Sequence, residues 1–170
     1  PLDERESTIY LSNREDGSTV ELTPVPDGLR PGNSISPIIS GDGCSVVTIT
    51  EMALDVFSDD DGDTRWDVYR SVLPHCEGAV GNWELVSTRN DGSSLARDDV
   101  RPEFSPSVSR SGTAIAFVHP DERLFEAPDV NAITLVDLTV PASDSGRAQV
   151  VPGMPIDRPN TVFVHVGLDQ

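Results

Sequence analysis

The feature that most constrains this chain is a Ser-Pro segment that occurs twice. Residues 36–49 read Ser-Pro-Ile-Ile-Ser-Gly-Asp-Gly-Cys-Ser-Val-Val-Thr-Ile, and residues 105–118 read Ser-Pro-Ser-Val-Ser-Arg-Ser-Gly-Thr-Ala-Ile-Ala-Phe-Val. A residue before proline is pushed into an extended conformation, so each copy opens as a strand. Gly43 and Gly112, which stand 69 residues apart, can take the positive φ of a tight turn. Good strand formers follow, so each copy predicts a strand, a turn and a second strand.

Further strands are predicted after each Ser-Pro segment. Residues 66–73 and 132–139 have strand character and are each followed by a proline, and residues 83–87 and 148–152 read as fourth strands. Helical periodicity is almost absent from the chain. The sequence therefore predicts an all-β fold with two four-stranded antiparallel sheets, separated from the N-terminal strand by a connector over 19–35.

The combined motifs resemble the WD40-like repeats of TolB-type β-propellers. The resemblance rests on Ser-Pro-x-x-Ser-x-x-Gly, the following Ala-Ile-Ala-Phe-Val, and the later Asp-Val-Tyr and Leu-Val-Ser segments, over about residues 8–153. Residues 40–43 are close to the family's Ser-x-Asp-Gly, whereas the second copy has Ser111 in place of the aspartate. The resemblance implies a propeller segment of about two four-stranded blades plus partial flanking strands.

The same resemblance suggests a division of the chain. Residues 8–18 would be the outer strand of a preceding blade, because they share Leu/Val-Ser-x-Arg-x-Asp-Gly-Ser with residues 83–93. Residues 36–88 would form blade one, 105–153 blade two, and 154–170 the lead-in to a further blade. The Ser-Pro strands would be innermost, with the core containing Ile38, Val46, Val108, Ile115 and Phe117.

A closed propeller has about 4–8 blades, which is more than this chain supplies. The chain also starts at Pro1, in the middle of the repeat pattern. We therefore expect either that the remaining blades belong to the same gene product or that other chains provide them.

The charge of the chain limits its partners. The 170 residues carry a net charge of −17, and all twelve basic residues are arginines. So acidic a chain repels nucleic-acid phosphates and anionic lipid. No apolar run approaches the roughly 20 residues of a membrane-spanning helix. We therefore predict a protein partner or further propeller blades, no nucleic acid and no membrane span.

Cys44 and Cys76 are the only cysteines. Cys44 opens the second predicted strand and Cys76 follows the third, and antiparallel neighbours would bring these two ends together. We predict a disulfide, which indicates a secreted, periplasmic or cell-envelope location. Two free buried thiols are the alternative.

The loop over 58–63 is dense in aspartate. Asp59, Asp61 and Asp63 offer the oxygen ligands that calcium prefers, and Gly62 would allow the loop to bend. The spacing does not fit an EF-hand, and a solvated acidic loop is the alternative. No other cofactor is predicted, and the three histidines are scattered.

The sequence contains no Gly-x-Ser-x-Gly nucleophile motif. Together with the resemblance to TolB-type propellers, this favours a protein that is not an enzyme: a non-catalytic propeller scaffold or protein-interaction module of an exported protein. The alternatives are a calcium- or carbohydrate-binding module and the propeller part of a larger hydrolase. Trp66 and Trp83 are predicted to be packing residues, with a sugar-binding platform as the alternative.

Overall fold

A computed structural model describes residues 7–24, 32–52, 54, 66–76, 81–87, 105–120, 131–140 and 148–151. Within these ranges the chain is all-β, with one short 3-10 turn at Pro74–Cys76. The strands are β1 (Tyr10–Ser12), β2 (Thr19–Glu21), β3 (Ser34–Ile39), β4 (Ser45–Thr50), β5 (Asp67–Val72), β6 (Trp83–Leu85), β7 (Ser107–Val108), β8 (Ala114–Pro120), β9 (Asn131–Asp137) and β10 (Ala148–Val151). The predicted fold class is thereby confirmed at the level of an all-β chain.

The strands form two four-stranded antiparallel sheets and one hairpin. Sheet one has the order β3-β4-β5-β6, and sheet two has the order β7-β8-β9-β10, so neighbours in the chain are neighbours in each sheet. Strands β1 and β2 form a separate antiparallel hairpin. The two four-stranded sheets confirm the predicted strand pattern, whereas β2 lies in the stretch that the sequence suggested was a connector.

The Ser-Pro element makes β3 irregular. The register between β3 and β4 shifts between Ile35 and Ile38, and Ser36 adopts a left-handed φ of 52°. Proline has no N–H to donate to a strand ladder, so Pro37 is compatible only with an edge strand or a bulge. Because β3 is an edge of sheet one in the described residues, the bulge accommodates the proline without loss of the sheet.

The main apolar core lies between the two sheets. Its buried residues are Val47, Ile49, Val68 and Val86 from sheet one, and Ile115, Phe117 and Val136 from sheet two. Ile38 and Val108 are partly buried and pack against this core. All five residues that the sequence predicted in the core therefore pack in an apolar cluster, since Val46 belongs to the second one.

The second apolar cluster joins sheet one to the β1–β2 hairpin. Its buried members are Ile9 and Leu22 from the hairpin segment and Val46 and Leu73 from sheet one. We call the face of sheet one toward the hairpin its back face, and the face toward sheet two its front face. Sheet one is thus covered by apolar side chains on both faces, which explains why every residue of β4 is buried.

Equivalent residues of the two sheets face the same way along the stack. Val46 packs on the hairpin, and Ile115, which is 69 residues later, packs on sheet one. Leu73 and Leu138 repeat this relation, because Leu73 contacts the hairpin cluster and Leu138 contacts the inter-sheet core. The back face of sheet two therefore rests on the front face of sheet one, as the back face of sheet one rests on the hairpin.

The two Ser-Pro strands are neighbours across the stack. Cα atoms of β3 and β7 come within 8 Å of each other. Each of these strands is an edge of its sheet in the described residues. The junction of the sheets is therefore closest along the Ser-Pro strands and the turns that follow them.

Candidate functional site

Hydrogen bonds of the Ser40 and Asp42 side chains support the turn between β3 and β4. The Ser40 hydroxyl accepts the Ser45 N–H at 2.9 Å and donates to the Asp42 carboxylate at 2.5 Å. The same carboxylate accepts the Cys44 N–H at 2.9 Å. Gly43 closes the turn with a φ of 77°, a conformation that glycine adopts without steric cost.

The turn between β7 and β8 repeats this construction with one substitution. The Ser109 hydroxyl accepts the Ala114 N–H at 3.0 Å, and Gly112 has a φ of 71°. Ser111 stands where Asp42 stands in the first turn, and its hydroxyl bonds the Thr113 hydroxyl at 2.9 Å. The repeat seen in the sequence is therefore also a repeat of turn geometry, with a neutral hydroxyl in place of the carboxylate.

The two turns touch each other. The Asp42 N–H donates to the Arg110 carbonyl oxygen at 2.9 Å. A Cβ placed on Gly41 would lie 3.0 Å from the Arg110 side chain, so the approach is close on both sides of this bond. A Cβ placed on Gly112 would collide with the Ser45 hydroxyl. We call residues 40–44 and 109–113 together the paired turns.

Each turn is also tied to the end of the third strand of its sheet. The Leu73 N–H donates to the Cys44 carbonyl, and the Leu138 N–H donates to the Thr113 carbonyl, both at 2.8 Å. Sheet one adds a covalent link, because Cys44 and Cys76 form a disulfide. This link confirms the predicted cysteine pair. Cys76 is exposed at the molecular surface.

Hydrogen bonds stabilise the ionised carboxylates of Asp42 and Asp137, which lie in or next to the paired turns. The Ser40 hydroxyl, the Cys44 N–H and the Arg110 guanidinium all lower the pKa of Asp42, in that order of effect. After β9, the hydroxyl and the N–H of Thr139 lower the pKa of Asp137. These carboxylates therefore keep their charge to a lower pH than a free aspartate.

An arginine crosses the front face of sheet one near the paired turns. The Arg70 guanidinium donates to the Ser45 hydroxyl at 3.4 Å and lies 3.6 Å from the Glu84 carboxylate. The Arg70 side chain is 13% exposed, so its charge is largely desolvated. The corresponding residues of sheet two are Leu135 and Gln149, so this charged contact belongs to sheet one alone.

A buried polar pair lies at the other end of the strands of sheet one, away from the paired turns. The Ser87 hydroxyl donates to the Asp67 carboxylate at 2.6 Å and accepts the Val68 N–H at 3.1 Å. Ser87 is fully buried and Asp67 is 8% exposed. The serine hydroxyl therefore holds the start of β5 against the residues after β6 and is inaccessible to a substrate.

The predicted calcium ligands Asp59, Asp61 and Asp63 lie outside the described residues, so this site stays a prediction. In the described ranges, no three His, Cys, Asp or Glu side chains are grouped closely enough to hold a metal ion. Both tryptophans pack as predicted: Trp66 lies on the inter-sheet core and Trp83 on the hairpin cluster. The Trp83 indole N–H donates to the Leu22 carbonyl at 3.1 Å.

The contact between the paired turns could not be read from the sequence. It uses the Asp42 N–H and the Arg110 carbonyl, and backbone groups carry no residue signature. The residues that do point to it are Gly41 and Gly112, because an added Cβ would lie 3.0 Å from the Arg110 side chain at the first and would collide with Ser45 at the second.

The structure was searched for membrane spans, and the sequence was compared with known proteins. Of the helical segments in the described residues, none has the length and apolar character needed to cross a bilayer. No protein-family model matches the sequence, and no curated protein matches it either.

Proposed function

We propose that this chain is part of a non-catalytic β-propeller that acts as a scaffold or protein-interaction module of an exported protein. The observation that carries this proposal is the head-to-tail order of the hairpin, sheet one and sheet two. Val46 and Ile115 are equivalent, yet one packs on the hairpin and the other on sheet one. A two-fold axis between the sheets would instead bring equivalent faces together.

A propeller repeats this head-to-tail relation around an axis. The short distance between β3 and β7 supports it, because the innermost strands of neighbouring blades approach each other most closely. The far face of sheet two supports it as well. Ala116 and Val118 on that face are equivalent to Val47 and Ile49, which pack on the next sheet.

The disulfide supports the export part of the proposal. Cytosolic proteins are kept reduced, so a disulfide that joins two surface turns is typical of an oxidising compartment. The acidic net charge favours a neutral or basic partner over an anionic one.

The proposal is tested by measuring whether the distance between the two sheets increases from the turns to the outer strands. Spin labels on unnatural residues would be placed at the equivalent turn positions Asp42 and Ser111, and at the outer-strand positions Glu84 and Gln149. In a propeller the outer pair should be clearly farther apart than the turn pair. Parallel layers would keep about 10 Å between strands at every position, so equal distances would contradict the proposal.

A further inference from the structure

The β1–β2 hairpin covers only part of the back face of sheet one. Ile39 and Val46 are paired across β3 and β4, so they lie side by side on this face. Val46 is 3% exposed, whereas Ile39 is 48% exposed. Neighbouring strands lie about 4.8 Å apart, so the cover ends one strand short of the edge of sheet one.

The equivalent region of sheet two is more completely covered. Val108, the counterpart of Ile39, packs against the inter-sheet core. Gly112 is covered by Ser45, whereas its counterpart Gly43 has no atom within 4 Å of an added Cβ. The cover of sheet two comes from the four strands of sheet one, and the cover of sheet one comes from a two-stranded hairpin.

Two hydrogen bonds show which strand of the hairpin borders the uncovered region. The Ser34 N–H, at the start of β3, donates to the Ser7 carbonyl just before β1. The Trp83 indole, on β6, donates to the Leu22 carbonyl just after β2. Strands β3 and β6 are opposite edges of sheet one, so β1 lies on the side of β3 and of Ile39.

The edge of β1 that faces this region has backbone groups with no hydrogen-bond partner among the described residues. The Ile9 carbonyl accepts the Leu22 N–H, and the Asn13 N–H donates to the Ser18 carbonyl. The backbone N–H and C=O groups of residues 9, 11 and 13 therefore point toward β2. Backbone direction alternates along a strand, so the N–H and C=O groups of Tyr10 and Ser12 point away from β2. No strand in the described part of the chain pairs with this edge.

We propose that this edge of β1 binds one extended strand from another polypeptide. The added strand would pair with Tyr10 and Ser12 and would lay its apolar side chains on Ile39. Main-chain hydrogen bonds would hold the added strand on β1. Its side chains on the face toward sheet one, which are every second residue, would provide selectivity, as in other cases of strand addition to a sheet edge. A strand without net negative charge is favoured by the −17 charge of this chain.

The inference names a partner for the interaction module proposed above, but it does not depend on a propeller. It rests on the edge of β1 and on Ile39, whereas the propeller rests on the stacking of the sheets. A failure to bind strands would therefore leave the spin-label experiment unaffected, and the reverse also holds.

The probe is a capped peptide with the sequence of residues 45–50 and an arginine added at each end. Strand β4 is chosen because its Val47 and Ile49 pack against the back face of sheet two, which is equivalent to the target face. We expect saturable 1:1 binding in an NMR titration, with the largest amide shifts at Tyr10, Ser12 and Ile39. A peptide of the same composition without the apolar alternation should bind at least tenfold more weakly.

Matched variants separate edge pairing from other binding. Tyr10→Pro removes an outward N–H and leaves the bonds between β1 and β2 intact, so it should weaken binding at least tenfold. Tyr10→Thr keeps this N–H and should bind like the unmodified chain. Glu21→Pro alters the outer edge of β2, opposite Tyr10, and should also bind normally. Ile39→Asp should weaken binding without altering the β1 edge.

Several results would overturn the inference. The absence of any shift at millimolar peptide would do so, as would unchanged binding by both Tyr10→Pro and Ile39→Asp. A loss of binding in Glu21→Pro alone would assign the site to β2. Self-association of the chain that Tyr10→Pro abolishes would show that a second copy, and not another polypeptide, occupies the edge.

Discussion

The two hairpin turns have the same backbone and are held by different chemistry. In sheet one the turn carries the carboxylate of Asp42 and is linked through Cys44 to the end of the third strand. In sheet two Ser111 replaces the carboxylate, and Thr113 stands where Cys44 would be. The backbone bonds from the third strand to each turn are nevertheless equal in length, at 2.8 Å.

This difference shows what the turn conformation requires. Both turns have serine at the first position and glycine at the fourth. In each turn the serine hydroxyl accepts the N–H of the residue five positions later. The carboxylate and the disulfide are additions to a turn that forms without them. Sheet two is therefore an internal control for the contribution of each addition.

The largest expected effect is the loss of the disulfide. The bond closes a loop with a sequence separation of 32, and the chain-entropy model assigns such a crosslink roughly 3–4 kcal/mol. The double variant Cys44→Ser, Cys76→Ser should lower the free energy of unfolding by about this amount in urea denaturation.

Hydrogen exchange makes the comparison of the two sheets explicit. In the same variant the Leu73 amide should lose protection, whereas the Leu138 amide, which makes the equivalent bond without a disulfide, should change little. Equal loss at both amides would show that the disulfide supports the whole stack and not the turn of sheet one.

The next largest effect compares the two turn glycines. Gly43→Ala and Gly112→Ala both place a side chain at positive φ, which costs about 1 kcal/mol in each turn. Only the Cβ at position 112 meets Ser45, whose own Cβ is 2.7 Å away. We expect Gly112→Ala to cost a further ~1–3 kcal/mol through overpacking of the junction.

Urea denaturation of both glycine variants measures this difference. Adding Ser45→Ala should restore part of the stability lost in Gly112→Ala and none of that lost in Gly43→Ala. Equal losses in the two glycine variants would mean that the turns are not in contact in solution.

A smaller effect is expected at the two turn serines. Ser40→Ala and Ser109→Ala each leave the N–H of a strand residue without its hydroxyl acceptor, at a cost of about 1–2 kcal/mol. Ser40→Ala should be the more costly of the two, because it also removes the bond to the Asp42 carboxylate. Thermal unfolding of both variants tests the order, and a larger loss in Ser109→Ala would contradict it.

The sequence predicted the elements whose signals are local. Ser-Pro, the turn glycines and the strand formers after them placed β3, β4, β7 and β8, and the positions of the cysteines relative to β4 and β5 predicted the disulfide. The head-to-tail packing depends on which face of each strand is buried, and this follows from tertiary contacts that a sequence repeat does not specify.

The remaining features have weak or no local signals. Strand β2 is only three residues long and precedes a stretch rich in proline and glycine, so its pairing with β1 was not predicted. Equivalent turn residues are 69 apart, whereas Leu73 and Leu138 are 65 apart, because the connections before the third strands differ in length. Asp59, Asp61 and Asp63 lie outside the described residues, so calcium binding there stays a prediction.

The smallest expected effect concerns the response of the two turns to acid. Asp42 has a lowered pKa in the folded chain, mainly because Ser40 donates to it. A carboxyl group of this kind stabilises the fold above its unfolded pKa of about 3.9, and the stabilisation is lost as the pH falls through the lower folded value. Asp42→Ser converts the first turn to the chemistry of the second and should make the urea midpoint less sensitive to pH below about 4.

The reciprocal exchange completes this test. Ser111→Asp should make the urea midpoint more sensitive to pH over the same range, since Ser109 offers the second turn the same hydroxyl that Ser40 offers the first. Asp16 and Asp137 also have lowered pKa values, through hydrogen bonds from Ser18 and Thr139, so Asp42→Ser should reduce the acid sensitivity without abolishing it. An NMR titration of the Asp42 carboxyl carbon is the direct measurement. A pKa at or above that of a free aspartate would mean that the Ser40 bond does not persist in solution, and the proposed difference between the two turns would then be limited to the disulfide.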